Sequence, residues 1–295
     1  SCRISGKTQA GDFIGEYTPD RVREKLARTW PDLLPPLPAL PPVSFEAPAR
    51  PAQMCPGCGH RSAFYAIKKA LAEDDVTVAD IGCHTLGYMP PYNLGEILLC
   101  MGASSGMASG LSINNPGRRV VAFLGDSTFF HAGLPGLLNT VFNRHDITLI
   151  LMENGTTAMT GHQDHAGREV PIEGLLKGLG IDHIFSCDTY SQDKLTGLVK
   201  EAMAVDGISV VIASHPCMLK FTRIRRRKEG YVRHHIAIDS KTCDFTHECL
   251  ARFGCPTFVR NPDGSVGVNR DLCIGDGSCR ASCPRQAIGF DKGGK

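Results

Sequence analysis

The sequence predicts an α/β protein in which a parallel sheet with flanking helices is followed by a small cysteine-rich α+β domain. Three observations predict it. Residues 118–126 (RRVVAFLGD) and 147–153 (ITLILME) are short apolar β-type stretches separated by a helix-length segment at 132–143, so the whole reads as strand–helix–strand. Residues 76–81 (VTVADI) offer a further strand of the same kind. Six of the thirteen cysteines fall in the last 53 residues, in two runs that each end in Cys-Pro. A right-handed βαβ unit delivers both strand ends to one edge of a parallel sheet, where open α/β folds bind their ligands.

Taken in order, residues 13–28 carry Thr18-Pro19-Asp20, a helix start. Residues 31–51 are dense in proline and read as an extended, semi-rigid linker, so residues 1–53 form a connector. The segment Cys55-Pro56-Gly57-Cys58-Gly59-His60 leads into an amphipathic helix at 62–73, with Phe64, Ile67, Ala70 and Leu71 on one face. A zinc half-site on this Cys-x-x-Cys needs a second pair nearby, which Cys83 does not supply, and the surroundings differ from those of a thioredoxin-like couple. The strand at 76–81 carries Gly82, Cys83 and His84 to the ligand edge. Gly102, Ala103 and Ser104 then open a helix of small residues, whose N-terminus can approach a phosphate closely; taken alone such a helix reads as a tight packing site, but in this order and company phosphate proximity is the preferred reading. Gly125, Asp126 and Ser127 end one strand and Asn154 ends the next. An anion and an amide at one sheet edge suit Mg²⁺ shared with a phosphate. The basic run at 221–228 (FTRIRRRK) reads as solvated surface, with an acidic electron carrier as the alternative partner.

A net charge of +2 argues for neither a nucleic-acid nor a membrane partner. No stretch reaches the roughly 20 apolar residues of a membrane span. The first residues lack an apolar signal core, and thirteen cysteines without an export signal point to a reducing, cytoplasmic compartment and to metal or redox use.

The spacing of Gly125-Asp126-Ser127 and Asn154, with 28 residues from Asp to Asn, resembles the thiamine-diphosphate motif. With it come GTTAMTGHQDHAG (155–167), GDSTFFHAGLPGLLNTVFN (125–143), MCPGCGH (54–60), DIGCHTLGYMPP (80–91), CMGASSGMASG (100–110) and the cysteine-rich tail. Over residues 50–295 the sequence resembles the 2-oxoacid:ferredoxin oxidoreductases, in particular the C-terminal half of the indolepyruvate ferredoxin oxidoreductase α subunits. The resemblance implies a thiamine-diphosphate-binding domain at 54–222. Mg²⁺ would be held by the side chains of Asp126 and Asn154 and the backbone carbonyl of Thr156. The loop of Cys55, Gly57, Cys58 and His60 would cover the cofactor, with His60 near the diphosphate and Cys58 near the thiazolium. Gly82, Cys83, Gly102, Ala103, Ser104, Gly125 and Ser127 would complete the cradle. His162, followed by Gln163, would face the substrate, making His162 and Cys58 the candidate catalytic groups. The glutamate that activates thiamine belongs to a separate pyrimidine-binding domain, and no candidate for it is found here. A first residue that is Ser rather than Met fits a piece of a longer chain.

The tail, residues 236–295, resembles a two-cluster ferredoxin, in which each run gives ligands to its own cluster and its Cys-Pro cysteine to the other. One site would take Cys243, position 246, Cys249 and Cys283; the second, Cys273, position 276, Cys279 and Cys255. Thr246 and Asp276 stand where cysteines are expected. A carboxylate ligates iron and a threonine hydroxyl does so poorly, so Asp276 is counted as a ligand, and the clusters are expected as 4Fe-4S or 3Fe-4S. Zinc and a metal-free ferredoxin fold are the alternatives. The expected reaction is oxidative decarboxylation of an aryl-type 2-oxoacid to its acyl-coenzyme A, with electrons passed to ferredoxin and with a second subunit. A non-oxidative decarboxylase with a structural tail, or an electron-transfer module, are the rival readings.

Overall fold

The computed structural model describes residues 6–7, 9–34 and 51–291. Most of the expected linker, residues 35–50, lies outside the described residues. Two compact units divide at residues 50 and 51. In the first, helix α1 (Pro19–Thr29) begins where the sequence predicts: Pro19 opens the helix, and the Thr18 hydroxyl accepts a hydrogen bond from the Arg21 N–H at 3.4 Å.

The second unit is built on five parallel strands: β1 (Val76–Val78), β2 (Val120–Gly125), β3 (Ile147–Glu153), β4 (His183–Asp188) and β5 (Ile208–Ser214), ordered β1-β2-β3-β5-β4. Every residue of β2 is buried, as a strand covered on both faces requires. Helices α2 (Gly59–Lys68) and α7 (Gln192–Met203) cover one face, where Phe64, Ile67, Leu195 and Val199 meet Val121, Phe123 and Ile150. On the other face α3 (Ser104–Ile113), α5 (Leu134–Asn143) and α6 (Ile172–Gly178) place Ala108, Leu137 and Leu176 against Val120, Ala122, Leu124 and Leu149. The alternation along β2 is the period-2 signature of a strand. Between β2 and α5 the chain is helical at once, through the short α4 (Asp126–Thr128) and a π-helical turn (Phe129–Gly133). Helix α8 (Met218–Arg225) follows β5 and runs into the exposed basic segment.

Two elements are shorter than expected. Helix α2 starts and ends before the predicted 62–73, because the chain turns at 72–75, where Asp75 accepts the Ala72 N–H at 2.8 Å. Strand β1 stops at Val78, because Asp80 leaves the sheet to bond the start of α3. The strand predicted at 147–153 is found with those bounds.

The tail forms two antiparallel pairs, β6 (Ile236–Ile238) with β9 (Ile288–Phe290) and β7 (Phe258–Arg260) with β8 (Val266–Val268), around the short helix α9 (Glu248–Ala251) and a 3₁₀ turn (Ser278–Ser282). It packs on α2 and α7. The Tyr65 ring meets Phe253 edge-on at 5.5 Å, Tyr92 Oη donates to the Phe253 carbonyl at 2.7 Å, and Gln192 Nε2 donates to the Ser278 carbonyl at 2.9 Å. The buried Arg61 guanidinium bonds the carbonyls of Met54 and Gly254, tying the Cys-x-x-Cys segment to the tail.

Candidate cofactor and cluster sites

The register of β2 on β3 pairs Gly125 with Met152, so Asp126 and Asn154 emerge side by side at the carboxyl edge of the sheet. Asp126 is buried. Its Oδ2 accepts the backbone N–H groups of Asn154 (2.9 Å) and Gly155 (2.7 Å), and its Oδ1 accepts that of Ser127 (2.8 Å). His165 lies beside it: its Nδ1 accepts the Gly167 N–H, and its Nε2 stands 3.3 Å from Asp126 Oδ2 but makes no hydrogen bond there. Oδ2 thus accepts two N–H groups and Oδ1 one, so Oδ1 keeps lone-pair capacity. Asn154 Oδ1 accepts the Thr156 N–H at 2.9 Å and likewise has capacity left. The Thr157–Gln163 bridge closes the loop beyond, and the Ser127 and Thr157 hydroxyls meet at 2.7 Å.

These groups border a cavity of about 230 Å³ lined by His60, Ile81, Gly82, Cys83, His84, Met101, Gly125, Asp126, Ser127, Thr128, Asn154 and residues 156–160. That is below the roughly 300 Å³ at which ligand pockets usually begin, so it suits one end of a large cofactor. No lysine, arginine or glutamate is among the lining residues. His60 and His84 lie nearly parallel, ring centres 6.2 Å apart. Burial lowers His60 to about 4, partly opposed by Asp126, and burial together with His60 lowers His84 to about 3, so both are neutral at pH 7. The ring of His84 fits against two glycines: a Cβ on Gly82 would lie 2.5 Å from it and one on Gly125 3.0 Å. Its Nε2 is buried without a hydrogen-bond partner. Burying such a group is costly unless a ligand satisfies it.

Several expected site residues lie elsewhere. The N–H groups of Gly102 and Ser104 donate to Asp80, at 2.7 and 2.9 Å, so this helix start is capped by a buried carboxylate and presents those groups to no phosphate. Gly102, Ala103 and Ser104 do not line the cavity. The small residues serve packing instead: a Cβ on Gly102 would sit 2.7 Å from the Ala132 carbonyl oxygen, and one on Gly136 2.6 Å from Ser105 Oγ. Cys55, Gly57 and Cys58 also miss the cavity. A Cβ on Gly57 would collide with Ile274 and Asp276, so this part of the loop packs on the tail, while His60 just beyond it lines the cavity. His162 lines no described cavity wall at Asp126; burial, then Arg223 and Lys220, lowers its basicity. His165 is the histidine that lies beside the carboxylate.

Cys83 lies within electrostatic reach of Cys58, Cys217 and Cys55, and burial followed by these thiols raises it to about 12. Thiols from the Cys-x-x-Cys loop, the segment after β1 and the segment after β5 thus lie in one neighbourhood, and sequence spacing alone does not show that Cys217 joins it. In the tail, Cys249 is raised to about 11 by burial, with Cys243 and Cys283 adding to it. Cys279 is pushed up by burial and by Asp276, Cys255 and Cys273. These electrostatic neighbours group Cys243 and Cys283 with Cys249, and Cys255, Cys273 and Asp276 with Cys279. Thr246 is exposed. Among the described residues all twelve cysteines are free, and no set of three or more His, Cys, Asp or Glu converges as on a single metal ion.

Residues 80–213 match the family of thiamine pyrophosphate enzymes, C-terminal TPP binding domain, and residues 266–289 match the 4Fe-4S binding domain. The indolepyruvate oxidoreductase subunit IorA of Archaeoglobus fulgidus is 38% identical over 260 residues, covering 83% of this chain and 41% of the relative. IorA of Methanothermobacter thermautotrophicus is 35% identical over 296 residues, covering 93% and 45%. The chain belongs to the 2-oxoacid:ferredoxin oxidoreductase family. It spans less than half the length of these two relatives. The solved 2-oxoglutarate:ferredoxin oxidoreductase from Magnetococcus marinus shares the fold, with a TM-score of 0.51 and 23% identity over 60% of this chain and 70% of that one. Membership of this family fits both the sheet-edge carboxylate and the paired cysteine groups of the tail. Among the described residues no helix is long and apolar enough to cross a membrane.

Proposed function

We propose that this chain holds the diphosphate half of thiamine diphosphate, with Mg²⁺, and the iron–sulfur clusters of an enzyme that oxidatively decarboxylates an aryl-type 2-oxoacid to its acyl-coenzyme A and reduces ferredoxin. The observation that carries this reading is the charge of the cavity. Its one acidic side chain is Asp126, its histidines are neutral, and the nearest ammonium, Lys220, is bonded to Thr156 at its rim, so a divalent cation would supply the counter-charge a diphosphate there needs. Asp126 Oδ1 and Asn154 Oδ1 have lone pairs to hold that ion, with the Thr156 carbonyl as the third protein ligand. His84 would donate its unpaired ring N–H to a phosphate oxygen, and His60 and Ser127 stand on the same wall. The loop of 157–163 and His162 would face the oxoacid.

When bound, thiamine diphosphate supplies the electron sink for loss of CO₂, and the clusters supply one-electron steps toward ferredoxin. The protein fixes the metal, excludes water and holds the redox groups close. Cys243, Cys249 and Cys283 would ligate one cluster and Cys255, Cys273, Asp276 and Cys279 a second, while the thiols of Cys55, Cys58, Cys83 and Cys217 offer a further ligand set beside the cavity. Thiols free throughout the described chain support a reducing, cytoplasmic setting. The activating glutamate would come from a pyrimidine-binding domain, since no glutamate lines the cavity. In this reading residues 1–53 connect to it, 54–222 bind the diphosphate and 236–295 carry the clusters, with a second subunit completing the enzyme. Isothermal calorimetry tests the core of the proposal: thiamine diphosphate should bind this chain with Mg²⁺ and lose nearly all affinity with EDTA. Equal binding in both conditions would refute it.

A further inference from the structure

The second tail site is asymmetric in its burial. Cys255, Cys273 and Cys279 are each under 10% exposed, whereas the fourth position, Asp276, lines an open cavity of about 490 Å³ together with Ile274, Gly275, Arg225 and Tyr231. A metal ion held at that corner has a path to solvent that the other three lack. On its opposite side the Asp276 carboxylate abuts the Cys-x-x-Cys loop, 3.1 Å from where a Gly57 Cβ would stand. Here it meets Tyr190. The phenol donates to the Gly57 carbonyl at 2.8 Å and also lies within hydrogen-bond reach of Asp276. The ring is fixed independently of either acceptor. It stacks on His215 at 3.7 Å and 19°, His215 bonds Asp188 at 3.1 Å, and the Tyr190 N–H bonds Asp188 at 2.7 Å.

A phenol has one proton to donate, and this one has two acceptors. We propose that Tyr190 is a positioning residue that sets how readily the Asp276 corner gives up its iron: it donates to the Gly57 carbonyl while Asp276 ligates iron and turns to the carboxylate when the iron leaves. The inference rests on the cluster reading above and adds a residue outside the ligand set. The exchange would balance without electron transfer, as [4Fe-4S]²⁺ giving [3Fe-4S]⁰ and Fe²⁺: the Fe–O bond to Asp276 and the corner iron's three bonds to cluster sulfide would break, and water or chelator would take up the Fe²⁺. A freed carboxylate in this partly buried position needs a donor beyond the Ser278 N–H, which it already accepts at 2.9 Å. A hydrogen bond to a charged group is worth enough to shift the iron affinity at least about tenfold. Tyr190 therefore stabilises the vacated state.

The test uses the full chain, reconstituted anaerobically, with Fe²⁺ withdrawn by a chelator and the remaining cluster oxidised by ferricyanide to the [3Fe-4S]⁺ state that EPR detects. Tyr190→Phe keeps the stack on His215 and removes only the hydroxyl. Corner iron should then be held roughly tenfold more tightly, with a correspondingly weaker three-iron signal at a given chelator concentration. In an Asp276→Cys background the same substitution should change nothing, because a thiolate corner leaves no carboxylate to receive. Unchanged or weaker iron retention in Tyr190→Phe, or an equal effect in the cysteine background, overturns the role of Tyr190 while leaving the cluster assignment standing. Wild-type protein that takes up no iron–sulfur cluster overturns both.

Discussion

Asp126 combines two tasks in one carboxylate under the proposed function: Oδ2 gathers the backbone of the 154–155 loop, and Oδ1 would hold the metal. The two tasks separate by substitution. Asn154→Ala removes one metal ligand and one acceptor, so thiamine diphosphate affinity should fall by more than about tenfold while stability drops by only ~1 kcal/mol. Asp126→Ala should abolish binding and also cost ~2–4 kcal/mol, because the Asn154 and Gly155 N–H groups lose their acceptor. Calorimetry and chemical denaturation of both variants check this; retained affinity in either counts against the metal assignment. His60 and His84 give a pH signature. Their folded values, about 4 and about 3, lie below the ordinary histidine value of 6.5, so the unfolded chain binds more protons between these limits. Stability is full above about pH 6.5 and falls on acidification toward 4, by up to ~1.4 kcal/mol per pH unit for each histidine. Denaturation midpoints at pH 7 and 5 measure it, and His84→Gln should flatten the slope.

Among the elements, α3 shows how a sequence pattern is correct and its purpose misread. Small residues at 102–110 do open a helix near the cofactor edge, but spacing cannot reveal that Asp80, at the end of a strand-like run, folds back to cap it. Contact between α3 and α5 is the reason for the small side chains. Gly102→Ala tests the difference. With φ at +85° and a Cβ 2.7 Å from the Ala132 carbonyl oxygen, it should destabilise the fold by ~2–4 kcal/mol. In cofactor titrations of the molecules that remain folded, affinity should be nearly unchanged; a specific loss of affinity at full stability would restore the phosphate role. Strands β2 and β3 and the start of α1 were legible because local signals decide them: an apolar run between polar ends, and a Thr-Pro cap. The approach of His165 to Asp126 was not, since a loop sequence does not say which of its histidines turns toward the sheet edge. Nor was the arrival of Cys217, which depends on the chain returning through β5 to the first thiols.

At the scale of the sheet and its tail, the two form one packed body, joined by Arg61, Tyr65, Tyr92 and Gln192, so the carboxyl edge of the sheet and the cysteine groups are held at fixed separation. The Cys-x-x-Cys loop packed on Ile274 and Asp276 places one thiol set directly against the other. Under the proposed function, electrons would cross this contact. The direct test is anaerobic EPR of the reconstituted chain combined with the pyrimidine-binding portion of its subunit and the second subunit, given thiamine diphosphate, Mg²⁺ and an aryl 2-oxoacid. The account predicts that the signals of reduced clusters appear on addition of the oxoacid, with no signal from this chain alone and none with Asp126→Ala. Release of CO₂ while every cluster stays oxidised would contradict it and make the tail a structural appendage of a non-oxidative decarboxylase.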